Sequence, residues 1–537
     1  MVNKHLKRRA MSASDSITDN AAGPGGRERT VRLVLLGLWA IAALWLAWHH
    51  VPWRDEVRAL TIALSGDTTL DMLRNLHGEG HPATWYLLLR WGHALMQSPV
   101  VLPALAFIIA FATMTVLALR SPLPLLTIAL IMFGGLGLFE YTVSARNYGI
   151  SALVLFVFAW LYPRWRDRGV TMGLVLFLLC NTNVPSNFLA AALLGFWLLE
   201  IASEEGLRWH RKYGWWLANA GIAAAGALVC FLTVFPASQD AASISHPDGL
   251  GIGTLLGALT GPKAAFPDLA GPFALGWIGS LLASLALLGS LAGLLRSPGA
   301  FLAAAGVMLF FKLFFLIVYP GGYRHQGLMV MFLVTLYWLL AAGRGGHWPE
   351  NMPMLRRIGD RAARIGAIFL TLLLALQLMH SIRHAAAALQ NVPYSRIHDL
   401  ADLLEHEGLT DATVLGHPDV MVEALPYYAD NPTYLLRNQR FGHVVHFTKN
   451  SRLDLSLGDI LTDAQRIRAE TGKPVVIALR YQPDPNGPER SVREGYLGTY
   501  YTDGEQDRRF LEATRLLARF EPAITDESYD VYLLTGG

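Results

Sequence analysis

The stretch VRLVLLGLWAIAALWLAWHHVPWRDE, residues 31–56, decides how the rest of the chain is read. Residues 31–50 carry a single formal charge, Arg32, and at about 1.5 Å per residue a helix of this length spans about 30 Å, the thickness of a bilayer's hydrocarbon core. Directly after the apolar run come Trp53, Arg54, Asp55 and Glu56, so a spanning helix delivers two carboxylates to one membrane interface. Further apolar runs at 99–119, 122–140, 147–163, 169–181, 185–202, 214–235, 272–295, 300–319, 324–342 and 364–382 bring the expected number of crossings to about eleven. The composition agrees. The 537 residues are 53% hydrophobic and 16% charged, with a mean hydropathy of +0.35, outside the range of soluble domains.

A net charge of +3 is too small to suggest a nucleic-acid binder, and its meaning lies in its distribution. The run at 81–97 is short and is interrupted by Arg90 and His93. Treating it as a juxtamembrane helix gathers Lys4, Lys7, Arg8, Arg9, Arg27, Arg29, Arg32, Arg120, Arg164, Arg166, Arg168, Arg208, Arg211, Lys212, Arg296, Arg344, Arg356, Arg357, Arg361 and Arg364 on one side. The opposite loops retain Arg54, Arg58, Arg74, Arg90, Arg146, Lys263 and Arg324. By the positive-inside rule the first set is cytoplasmic. Residues 1–30 are then expected to be a disordered cytoplasmic tail ahead of a retained anchor, 31–385 a transmembrane domain, and 51–98 its first outer loop, containing a juxtamembrane helix. Residues 386–537 change to soluble composition, and an odd number of crossings places them outside. Segments 395–407, 418–429, 458–471 and 505–517 look helical, and 412–416, 474–480 and 529–534 have strand length, which predicts a small α/β domain. Cys180 and Cys230 fall in apolar runs and are expected to be small buried hydrophobes.

Under this topology five polar clusters share the outer face: 53–56, 78–82, 140–148, 181–183 and 319–325. Asp55 and Glu56 have the chemistry to deprotonate an acceptor hydroxyl or to hold a divalent cation, and an acidic helix cap is the competing reading. Glu79 and His81 precede Pro82, either as a polar turn or as substrate contacts. Arg146 and Arg324, at run ends, suit bidentate grip on phosphate oxygens or simple snorkelling. Lys312 lies about two turns inside an apolar, Phe-rich helix, where a charge is a functional candidate by default. Tyr148, Tyr323 and His325 complete the candidate substrate-binding set.

These residues resemble the GT-C superfamily of integral-membrane glycosyltransferases, in particular its protein O-mannosyltransferase and aminoarabinose-transferase-like branch. Asp55-Glu56 is similar to the acidic pair of that branch's first outer loop. His81-Pro82-Ala83-Thr84-Trp85-Tyr86-Leu87 is similar to its His-Pro-Pro-Leu-Tyr-Tyr segment, and Ala145-Arg146-Asn147-Tyr148-Gly149 to its Ala-Arg-Pro-Tyr-Ala motif, with Ala83 and Asn147 in place of prolines. The resemblance covers 31–340. It implies inverting transfer of a sugar from a polyprenyl-phosphate carrier to a lipid, polysaccharide or protein acceptor on the outer side of a bacterial inner membrane. It further implies Asp55 as base assisted by Glu56, and Arg146, Arg324 or Lys312 at the donor phosphate. No cofactor is specified. A divalent cation on Asp55 or Glu56 is the one candidate, since some relatives use a metal. Two other classes stay open from the residues alone: a transporter or flippase, which Lys312 fits comparably, and a noncatalytic scaffold of polysaccharide assembly.

Overall fold

The computed structural model describes residues 25–235, 267–270, 277–319, 321–348 and 350–535. The expected tail therefore lies outside the described residues up to position 24, as does the start of the run at 272–295. The chain runs through α1 (Gly26–Trp48), three loop helices α2 (Arg54–Ala63), α3 (Thr69–Arg74) and α4 (Thr84–Met96), then α5 (Val101–Arg120), α6 (Leu125–Phe133) and α7 (Tyr148–Trp165). It continues with α8 (Thr171–Cys180), α9 (Ser186–Glu205), α10 (Arg211–Val234), α11 (Trp277–Gly293), α12 (Pro298–Ile317), α13 (Tyr323–Ala341) and α14 (Pro353–Leu389). Each of the eleven apolar runs is thus a helix. Eight are long and apolar enough to cross a membrane. The other three are α6, which passes into a π-helical turn at Leu136–Glu140, the ten-residue α8, and α13, whose polar start Tyr323-Arg324-His325-Gln326 lowers its hydropathy. Helix α4 has 13 residues, too short to span, as the charge distribution requires.

Helix α13 is buried on nearly every side and forms the centre of the bundle, consistent with its all-round apolar composition beyond the first turn. Close helix contact is achieved with glycine: a Cβ on Gly366 of α14 would stand 2.2 Å from the Cα of Gly293 in α11. At the end of the bundle where α1 begins, Arg32 is buried and donates to the carbonyls of Ala118, Ser121 and Leu123 while pairing with Glu28. Arg166 there pairs with Glu200 and Glu204. The polar motifs lie at the opposite end. Cys180 and Cys230 are buried free thiols.

The C-terminal domain is α/β. Its main sheet has the order β3-β2-β1-β5-β9-β8, with β1 (Thr413–His417) parallel to β2 (Thr433–Leu435) and β5 (Val475–Leu479), and β3 (Arg440–Phe441) antiparallel at one edge. At the other edge β8 (Thr514–Phe520) and β9 (Tyr529–Leu534) run antiparallel. Period-two alternation gives the sheet two apolar faces. Val414, Val476 and Val531 pack beneath α15 (Ile397–His406), and Leu415, Ile477 and Tyr532 beneath α16 (Leu457–Thr471). A second sheet joins β4 (Asp454–Ser456), β7 (Thr499–Thr502) and β6 (Arg490–Arg493). The helix expected at 418–429 is instead two 3-10 turns, Asp419–Val422 and Leu425–Tyr427, because Pro426 has no amide to continue an α-helical ladder. The helix expected at 505–517 is α17 (Gly504–Ala513), which ends where β8 takes up its pairing with β9.

This domain docks on the first loop. Val57 of α2 enters the apolar cluster under α15, and the Tyr428 hydroxyl donates to the Pro52 carbonyl at 2.9 Å. Arg54 pairs with Asp526 at 2.7 Å and with Glu527 at 3.2 Å, and Arg58 is held between Glu79 and Glu423. The helix that carries Asp55 is therefore clamped between the bundle and the sheet domain.

Candidate active site

Helix α2 begins with its backbone extended at Trp53, and the Oε2 atom of Glu56 accepts the Trp53 amide at 3.2 Å, satisfying one of the helix's unpaired N-terminal donors. Oε2 also meets His50 Nε2 at 2.8 Å, and Oε1 accepts the Ala145 amide at 2.5 Å. Glu56 has no exposed surface. It fastens the start of α2 to the turn that presents Arg146, so its oxygens are committed to holding the site together.

Asp55 points the other way, with 36% of its side chain exposed. Arg324, at the first turn of α13, reaches its Oδ2 at 3.3 Å, and Arg146 donates from Nη1 to its backbone carbonyl. Trp53 stacks under the Arg54 and Arg324 guanidiniums at 4.8 and 5.4 Å, fixing both cations beside the carboxylate. Burial alone would raise the Asp55 pKa, but Arg146, Arg324 and Arg54 outweigh it and hold the group down at about 2. Asp55 is therefore a carboxylate throughout the physiological range.

Around this pair stand the other expected residues. His81 Nε2 lies 2.9 Å from Arg146 Nη2, and its Nδ1 3.4 Å from the Asn147 amide nitrogen. Burial, followed by the Arg146 charge, keeps His81 well below the usual imidazole range, so it is neutral and accepts from the guanidinium. Asn147 is anchored in turn on the Thr182 carbonyl at 2.6 Å, which gives the 181–183 cluster a supporting role. The Tyr148 hydroxyl meets His325 Nε2 at 2.7 Å, and its ring stands edge-on to His81.

Three candidates lie at the margins. Glu79 is engaged by Arg58 through both oxygens. The Tyr323 hydroxyl donates to Gln377 and its ring edge meets His380, so it faces α14. Lys312 is partly exposed on α12, and Phe315 and Tyr319, one and two turns farther on, reach the His325 ring at centroid distances of 6.4 and 5.1 Å. Neither Asp55 nor Glu56 belongs to a group of three or more potential metal ligands among the described residues.

Four acids behind this cluster were not singled out in the sequence, although Glu140 falls in the outer-face cluster 140–148. Glu140 Oε2 stands 3.7 Å from Arg324 Nε, while Asp55 meets Nη1 of the same guanidinium. Glu527, Asp526 and Glu423 arrive from the C-terminal domain and carry no local signal, because their partners are more than 300 residues away in sequence. Two guanidiniums, Arg146 and Arg324, thus flank the partly exposed carboxylate of Asp55 at one end of the bundle.

A solved structure, the crystal structure of ArnT from Cupriavidus metallidurans bound to undecaprenyl phosphate, is similar to this chain, covering 93% of it and 97% of that chain at 12% identity and a TM-score of 0.41. No protein-family model matches the chain, and no curated protein matches it.

Proposed function

We propose that this chain is a glycosyltransferase that moves a sugar from a polyprenyl-phosphate carrier to an envelope acceptor on the outer side of the cytoplasmic membrane, inverting the anomeric carbon. The observation that carries the reading is the partly open Asp55 carboxylate in contact with Arg324 and flanked by Arg146. A lipid phosphate placed at the end of an apolar bundle meets these two guanidiniums, which neutralise the charge that develops as it leaves. The acceptor hydroxyl attacks the anomeric carbon and its proton passes to Asp55. The bond from that carbon to the phosphate oxygen breaks, and its electron pair stays with the phosphate. A carboxylate held at about pKa 2 is a weak base. Donor phosphate, by taking up the charge of Arg146 and Arg324, loosens that hold and raises the basicity of Asp55 when a substrate is present.

In this scheme Glu56 is a positioning residue, and His81 and Asn147 keep the Arg146 fork oriented. The gathering of the site at one end of the bundle favours surface chemistry over passage through it. Binding of polyprenyl phosphate, followed by native mass spectrometry of the full chain, tests the phosphate subsite. Arg146→Ala and Arg324→Ala should each weaken it at least tenfold, and unchanged binding by both would refute the assignment.

A further inference from the structure

We propose that Glu140, His380 and His384 form a binding site for a zinc-type transition-metal ion, separate from the acidic residues of the first loop. His380 and His384 sit one helical turn apart on α14 and project from the same face. Glu140 faces them from the π-helical turn at the end of α6, a geometry that proteins use most at functional positions. One donor atom from each of the three lies within 4.8 Å of the other two, and Glu140 Oε1 is 3.9 Å from His380 Nε2. A tetrahedral ion with ligand bonds of 2.0–2.1 Å holds its donors about 3.4 Å apart, so rotamer adjustments of about an ångström close the set.

The unpaired atoms point the same way. Glu140 and His384 are more than nine-tenths buried, yet Glu140 Oε2 and all four ring nitrogens of His380 and His384 have no hydrogen-bond partner. Buried polar atoms left in that state are costly, and a coordinated cation would satisfy one nitrogen of each imidazole. The rings are also held in place: His384 stacks on Phe139 at 3.5 Å and His380 meets the Tyr323 edge at 3.8 Å. Two imidazoles and one carboxylate are the donor set of an open, three-ligand zinc site, whereas magnesium and calcium prefer oxygen alone. Glu140 would bridge, with Oε1 toward the ion and Oε2 toward Arg324, so that an occupied site would fix the position of the cation beside Asp55.

The test uses the full chain, purified in detergent, stripped with chelator and titrated with Co2+ and Zn2+. The wild type should bind one equivalent and give the visible absorption of low-coordinate cobalt. His380→Ala and His384→Ala should lower affinity at least tenfold, while His398→Ala, on an exposed helix of the C-terminal domain, should leave it unchanged. His384→Cys should keep the metal and add a thiolate-to-cobalt charge-transfer band. A wild type without the cobalt spectrum, wild-type affinity in either alanine variant, or a cysteine variant that folds but lacks the charge-transfer band would each overturn the proposal. These readouts do not depend on sugar transfer.

Discussion

Replacing Glu56 separates the two neighbouring acids by what each does. Glu56 accepts from the Trp53 amide, the Ala145 amide and His50 in a site without solvent. Glu56→Ala orphans all three, and at about 1–3 kcal/mol for each buried unsatisfied group the loss is on the order of 5 kcal/mol. Glu56→Gln is instructive because all the partners except the histidine are obligate donors. The amide can present its oxygen to one backbone N–H but must turn its own NH2 toward the other, so it should cost about 1–3 kcal/mol. Asp55→Asn removes a charge that Arg146, Arg324 and Arg54 stabilise, but with 36% of the side chain exposed that stabilisation is screened by solvent, so the substitution should cost about 1 kcal/mol at most. Thermal unfolding of the three variants in one detergent, with hydrogen exchange at Ala145, reads the order directly: Glu56→Ala least stable, Glu56→Gln between, Asp55→Asn near wild type. Equal unfolding temperatures for Glu56→Ala and wild type would refute the positioning role.

Arg58→Ala leaves Glu79 and Glu423 facing each other without their shared cation, a loss of about 3–5 kcal/mol that limited proteolysis should register as release of the C-terminal domain. Persistent protection of that domain would show that the clamp is held by other contacts. Burial raises Glu527 to about 7 against the pull of Arg54, so the folded chain holds this proton more tightly than the unfolded chain, whose group titrates near 4.5. Its stabilising contribution is present below about pH 4.5 and is lost as pH rises to about 7, a change on the order of 3 kcal/mol. Asp419 and Glu423 shift in the same direction and His417 in the opposite one, so the measurement is the stability difference between wild type and Glu527→Gln at pH 5 and pH 8. A difference that does not change with pH would contradict the burial argument.

The bundle was legible because helix-length apolar runs leave few alternatives, and the short run interrupted by Arg90 and His93 is the 13-residue α4. In the C-terminal domain the strands at 412–416, 474–480 and 529–534 were legible as continuous apolar runs, the pattern of strands buried on both faces. Strand β8 was not, since its exposed, Arg-containing sequence continues the helical period of α17, and only pairing with β9 settles it. Asp55, His81, Arg146, Tyr148, Arg324 and His325 stood out as polar residues at the ends of apolar runs. Glu140 was read only as the start of the 140–148 cluster, and His380 and His384 did not stand out, although two histidines four residues apart in the last apolar helix were a signal that could have been read. The distant partners of Arg54 and Arg58 had no sequence signal at all.

Whether Asp55 is the base can be read from transfer of radiolabelled sugar from polyprenyl-phosphate donors in membranes carrying wild type or Asp55→Asn, with envelope extract as the acceptor. The wild type should transfer, and the variant should lose about 100- to 10,000-fold at equal expression and an unfolding temperature near that of wild type. Equal transfer by a well-folded Asp55→Asn chain would contradict that role.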